Sequence, residues 1–510
     1  MPKRSAGCFE CRKRKVRCDE TKPECSICVR RGTKCPGYRP TQSFIIHKFN
    51  NQTDRPAIIR EDENRYRYSN QRGPEESEAA DAKAGAVVRL QPGGVRLLQD
   101  APMIRQVSPI AIERVQHIGT FLNLFLPKTE AITMPPPSAL MLVLPSLPAT
   151  SPALLAAVDA LSAAQLAVNN RNYPLINRSR SLYGGALTQM LSAIQSPARA
   201  MEDDTLFATY LLTLYEVFVG ISNGHGFFYH VQGLLHLVKL RGPKSFKTRL
   251  SMQIFHAIRY NSLSIGYHVR KGSMLDAPEW LAVTTQASRE DPYVALLDVC
   301  ICIPRILERT DKLSSAGATP SPADLDALIE DANALAARGY AWFTTFERNG
   351  PRYEKVPVED MDGFLEICAD KVFTPVFDFS TFGAGICYLI YWMSMLILQS
   401  NTFKLLRTHR QLEPRQLFMW DRELGGYADC ICRAVPYNCR PVIGYVAKFG
   451  SLTPLMVARK YYEAKKAEKE GKWCESVYQE ARVPGLYSTP ISMEPLKAVQ
   501  RLAQNSNRYL

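Results

Sequence analysis

The chain has 510 residues, too many for one small module, so two or more folding units are expected. Apolar residues make up 46%, which is ordinary for globular protein and excludes a chain without material for a large core. The formal net charge is +14, which suits a polyanionic partner. Its distribution is uneven: residues 1–40 carry twelve basic and four acidic side chains, leaving only about +6 for the remainder. A basic N-terminus of this kind is the electrostatic footprint that DNA binding requires.

Six of the 14 cysteines lie in this first segment: Cys8, Cys11, Cys18, Cys25, Cys28 and Cys35. Their spacing is C-x2-C-x6-C-x6-C-x2-C-x6-C, two identical halves offset by 17 residues. Each half can form a C-x2-C turn, enter a short helix and reach a third cysteine. The first seven residues are polar, basic or small, with no apolar run, so no secretory signal is expected. A reducing compartment then favours metal ligation over a disulfide framework. Structural zinc takes four tetrahedral ligands and binds thiolates well. Two separate ions would need eight thiolates; six suffice if two cysteines bridge both ions. Two Zn²⁺ and six thiolates sum to −2, which the surrounding lysines and arginines offset. A segment of forty residues has too little core to fold alone, so metal binding is expected to drive its folding.

Residues 8–35 resemble the fungal Zn2Cys6 binuclear cluster DNA-binding domain. The likeness rests on every cysteine, on the run Arg12-Lys13-Arg14-Lys15-Val16-Arg17-Cys18, and on Pro23 before the fourth cysteine. It implies two zinc ions bridged by Cys8 and Cys25. One ion would take Cys8, Cys11, Cys18 and Cys25, the other Cys8, Cys25, Cys28 and Cys35. It also implies that Lys15, three residues before the third cysteine, reads a CGG triplet of double-stranded DNA with help from Arg14. Guanine offers two acceptors in the major groove, which suits a basic side chain. Arg12, Lys13, Arg17 and Lys22 are assigned to phosphates, giving affinity and register. The counterpart of Lys15 in the second half is Gly32, so reading should be asymmetric. The basic run also suits nuclear import.

Residues 41–105 are polar, interrupted by Pro and Gly, and carry an acidic patch at Glu75, Glu76 and Glu78. They are expected to form a largely disordered linker without a coiled coil. Residues 106–510 read as all-α. Ser151-Pro152 starts one helix, running to Val168, and Ser321-Pro322 starts another, which Gly339 is expected to end. Phe207–Val219 and His230–Leu240 are further helical segments. Phe382–Leu398, 17 uncharged residues, reads as a buried core helix rather than a membrane span. No major sheet is expected.

This body resembles the fungal-specific transcription factor domain. The likeness is carried by Glu113–Ile118 through Leu126-Pro127, by Leu154–Ala167 with Tyr183–Leu187, and by His230–Leu235 with Leu240–Pro243; the step Cys35-Pro36-Gly37-Tyr38 is also common in such chains. Beyond about residue 300 only helical composition remains. The resemblance implies regulation of RNA polymerase II genes, often metabolic or secondary-metabolite genes, with the transcription machinery and a second copy of the chain as candidate partners.

No enzyme is expected. His225, His230 and His236 fall close together, but His230 and His236 are six apart and do not stack on one helix face, so they read as packing or surface histidines; Gly383-Ala384-Gly385 lacks a preceding strand and a third glycine, and Cys300/Cys302 and Cys430/Cys432 read as buried inert thiols. Two rivals stand beside a transcription factor: a metal- or redox-sensing protein using those thiols, and an interaction scaffold using zinc only to fold.

Overall fold

Helices begin where the sequence supplies a side-chain acceptor followed by proline. Ser151, Asn172, Asp291 and Ser321 each accept a backbone N–H of the following turn, at 2.8 to 3.4 Å, and each precedes a helix with proline in its first turn. The computed structural model describes residues 8–36 except 20, 22–24 and 34, and residues 109–481 except 129–133, 147–150, 171, 220–224, 316–320 and 351. The expected linker over 41–105, with Glu75, Glu76 and Glu78, lies outside the described residues, as do Lys22, Pro23, Tyr38 and the side chain of Arg12. The chain divides into two units, Met1–Ala101 and Pro102–Leu510.

The second unit is mostly helical. Pro152–Asn169 packs against Tyr173–Ile194, Asp203–Val219 and Pro109–Phe125, and Asp203–Val219 packs in turn on His225–Arg241. The helices expected from Ser151 and over Phe207–Val219 and His230–Leu240 are these, with longer bounds. Asp203–Val219 is buried on nearly every side, which explains its almost continuous apolar run.

Phe382–His409 is the central helix of the later part, packing against Pro322–Asn349, Pro414–Cys439 and Gly444–Lys465. It contains the 17-residue apolar stretch, whose side chains are surrounded by protein. Tyr391 stacks on Phe343 at 4.2 Å between ring centroids, and Ser394 accepts a 2.7 Å hydrogen bond from Tyr267. Pro322–Asn349 does not end at Gly339 as expected; it continues through it and stops at Gly350. A side chain at position 339 would put its Cβ 2.9 Å from the sulfur of Met395. Gly339 therefore serves close helix packing, not termination.

Among the described residues there is one sheet, an antiparallel pair of β1 (Tyr353–Val356) and β2 (Val376–Phe379) with Tyr353 opposite Phe379. Gly383-Ala384-Gly385 thus does follow a strand, contrary to expectation. Gly385 is explained by packing, since its missing Cβ would lie 3.2 Å from Phe379 and 3.4 Å from Tyr437.

One buried ion pair stands out. The Arg259 side chain, 1% exposed, donates to Asp298, whose carboxylate also accepts from Thr284 and Ser288. Removing one partner strands a charge in the core. Asp298→Ala should therefore destabilise the body by about 3–5 kcal/mol, whereas replacing both residues with apolar ones of similar volume should be much milder. Denaturant melts of the three proteins would check this.

Candidate metal centre and nucleic-acid interface

The first unit builds its site from the 17-residue repeat. Among its described residues it has two helices, Phe9–Lys13 and Ser26–Arg30, themselves offset by 17 residues. Local bonds repeat in the same register. The Cys11 and Cys28 amides each donate to the sulfur three residues earlier, Cys8 and Cys25, at 3.4 Å. The amides of Val16 and Thr33 close the two helix ends onto the carbonyls of Cys11 and Cys28, at 2.9 and 3.1 Å.

The six sulfurs converge. Cys8, Cys11, Cys18 and Cys25 form one group, and Cys8, Cys25, Cys28 and Cys35 a second, with the ligand atoms of each group within 4.8 Å of one another. Cys8 and Cys25 are common to both. Zn–S bonds of about 2.3 Å at tetrahedral angles set neighbouring sulfurs about 3.8 Å apart. The observed separations are 3.6 Å for Cys8–Cys25, 3.9 Å for Cys8–Cys28 and 3.7 Å for Cys11–Cys25. Two tetrahedra sharing the Cys8–Cys25 edge therefore fit the donor set.

Crowding favours the protonated form of Cys8, Cys11 and Cys28 when no cation is present. Desolvation, followed by hydrogen bonds with Cys8, Cys25 and Cys18, raises Cys11 well above the usual thiol range. The hydrogen bond with Cys25, then desolvation, pushes Cys28 up to about 12. Zinc supplies the charge that lets them ionise, so metal and proton compete for the same sulfurs.

Asp19 is a residue that the cysteine spacing alone does not reveal. Its carboxylate accepts from the Ser26 amide at 3.1 Å and from the Thr21 hydroxyl at 2.9 Å, tying the inter-half segment to the start of the second helix. Hydrogen bonding to Ser26 first, and to Thr21, holds its carboxyl below the ordinary value. A sequence signal for it exists, an Asp–x–Thr ahead of a helix start.

The basic residues lie on the outside. Lys13, Arg14, Lys15 and Arg17 are all exposed, so they can meet a partner together. Lys15 carries a second peculiarity. It sits just past the first helix with φ of +55°, in the left-handed region. Its repeat counterpart Gly32 holds the same place with φ of +67°. A side chain there costs about 1–2 kcal/mol relative to glycine. The second half uses the residue that the backbone prefers, and the first half carries a lysine instead.

The other sequence candidates separate. His230 Nε2 donates at 2.8 Å to the Tyr183 hydroxyl, which itself donates to Glu216, while His236 is exposed; His230 and His236 form no common site. Cys432 lies 3.6 Å from Cys474, not beside Cys430. Among the described residues, only the two N-terminal groups gather three or more potential metal ligands.

Comparison with known proteins agrees with this geometry. Residues 6–43 match the fungal Zn(2)-Cys(6) binuclear cluster domain, and residues 121–304 match the fungal specific transcription factor domain. An uncharacterized protein of Emericella nidulans is 26% identical over 201 residues, covering 37% of this chain and 43% of that protein. An uncharacterized transcriptional regulatory protein of Schizosaccharomyces pombe is 41% identical over 46 residues, 8% of each chain. The matched regions thus span less than half the length of these relatives. No solved structure matches the chain.

The shared edge makes a specific prediction. Cys8→Ser should disturb both metal positions, while Cys35→Ser should disturb mainly one; native mass spectrometry would count the zinc ions retained. Acidification should release zinc as protons reclaim the thiolates, with chelator-accessible zinc rising as pH falls.

Proposed function

We propose that this chain, which joins a zinc-binding fungal Zn(2)-Cys(6) binuclear cluster domain to a fungal specific transcription factor domain, is a nuclear DNA-binding transcription factor that recognises CGG-containing elements. Cys8, Cys11, Cys18, Cys25, Cys28 and Cys35 hold two zinc ions and thereby fix the short helix Phe9–Lys13. That helix end presents Lys15 and Arg14 to guanine edges. Lys13 and Arg17, with Arg12 and Lys22, bind phosphates. Residues 1–40 act as the reading module, 41–105 as a tether, and 106–510 as the regulatory body.

The observation that carries this reading is Lys15. A lysine held in a left-handed conformation, at the very position where the duplicate half has glycine, is kept for its side chain rather than for its backbone. The interaction-scaffold alternative has no use for that lysine. The redox alternative has one observation in its favour, the close Cys432–Cys474 pair. Against it, burial pushes the thiols of Cys300, Cys430 and Cys439 up to about 12 and raises those of Cys302, Cys368 and Cys387, so reactive thiolates are suppressed.

Lys15→Gly separates stability from recognition. Relief of the backbone conformation should stabilise the zinc module by about 1 kcal/mol, seen as slower zinc loss to a chelator. The same change should remove about 1–3 kcal/mol of discrimination between CGG and mutated duplexes. CGG preference that survives Lys15→Gly and Arg14→Ala together would sink the assignment. Arg17→Ala should instead weaken all sequences alike and lower the slope of log affinity against log salt by about 1.

A further inference from the structure

The helix Pro414–Cys439 buries Leu424, Ala428, Ile431 and Val435, yet its first two turns are inverted in character. Phe418 is 65% exposed and Met419 55% exposed. They lie on its outer face between Arg415 and Arg422, three or four residues from each, so the four side chains form one apolar-basic surface. The platform is firmly built. Pro414 starts the helix, Glu413 and Gln416 form a reciprocal cap, and Trp420 turns inward onto Phe403 with ring centroids 5.6 Å apart. The exposed pair is therefore presented by a fixed helix rather than by a fraying end.

The charges around it are unbalanced. Residues 404–422 contain five arginines and lysines against two acidic residues. Arg410 is occupied by Asp326, Asp421 by Lys465, and the Glu413 carboxylate by the amide of its own helix. Lys404, Arg407, Arg415 and Arg422 are exposed and form no ion pair with described residues. A second copy of the chain would bring these like charges together. A partner must instead offer apolar side chains to Phe418 and Met419 and carboxylates to the arginines.

We infer that this helix start is a docking surface for an acidic amphipathic peptide segment of a partner protein, one that interleaves Asp or Glu with Leu or Phe. Binding would bury Phe418 and Met419 at the centre, with Arg415 and Arg422 as a charged rim that speeds encounter and sets specificity.

The test uses the full zinc-loaded chain and a fluorescein-labelled synthetic 20-residue peptide alternating Asp/Glu with Leu/Phe, read by fluorescence anisotropy. Saturable binding with a Kd on the order of micromolar is expected. The double change Phe418→Ala with Met419→Ala should weaken it about tenfold or more. Arg415→Glu with Arg422→Glu should do at least as much, while Arg415→Lys with Arg422→Lys should retain most of it. Melting temperatures should stay unchanged, because the substituted side chains are exposed. A peptide with Lys in place of Asp/Glu should not bind. Absence of saturable binding would overturn the proposal. So would binding that ignores Phe418→Ala with Met419→Ala, or that a duplex without CGG displaces from the same arginines, which would make the surface a nucleic-acid contact.

Discussion

The N-terminal unit rests on thiolate sulfurs sharing cations where a hydrophobic core would otherwise be. Among its described residues the buried ones are Cys8, Cys11, Cys25, Cys28 and Cys35, with Cys18 and Ile27 packed against them. Two helices of five residues each have no independent stability at that length. The Cys8–Cys25 edge, 3.6 Å long, is what ties them together, and everything outside it hangs on that edge. The Asp19 bonds to Ser26 and Thr21, the amides aimed at Cys8 and Cys25, and the outward set of Lys13, Arg14, Lys15 and Arg17 are all placed by it. The body uses the opposite solution. There the central helix Phe382–His409 is wrapped by aromatic and aliphatic side chains, and its buried Ser394 and Asn401 bond to Tyr267 and Thr310 of neighbouring helices.

Much of the site is legible in the amino-acid sequence, because metal chemistry is a strict reader of spacing. Six cysteines in two copies of one pattern leave few ways to satisfy tetrahedral zinc, and the sulfurs converge into two groups with two members in common. The helix starts are legible for a similar reason: Ser151-Pro152 and Ser321-Pro322 meet local needs that do not depend on distant contacts. What the sequence hides is set by tertiary context. Gly339 looks like a helix terminator until Met395 is seen against it. The strand Val376–Phe379 is four residues long and gains its stability from Tyr353, Tyr388 and Trp392 around it, which no local pattern announces. The left-handed turn at Lys15 is also hidden, since lysine gives no hint of it; only the register with Gly32 raises the question.

The exposed Phe418 and Met419 belong to a third category. Residues 417–420 are apolar, as a core segment would be, and the sequence does not say that Trp420 turns in while its two predecessors turn out. The difference lies in helix phase relative to Phe403, a fact of packing. The surface of the body is thus not a uniform solvated coat but carries a rigid apolar point set among cations.

The closure of the first helix onto Cys11 has a consequence for what metal loss would mean. Lys15 owes its direction to a backbone turn whose anchoring carbonyl belongs to one of the six cysteines. Charge, by contrast, needs no fold: the twelve lysines and arginines of residues 1–40 remain cationic whether or not the sulfurs are gathered. Stripped of zinc, the segment would not be a weaker version of the same reader. On the proposed reading it would be a polycation that still adheres to any phosphate backbone but no longer distinguishes one base sequence from another, so zinc would govern the information content of binding more than its strength.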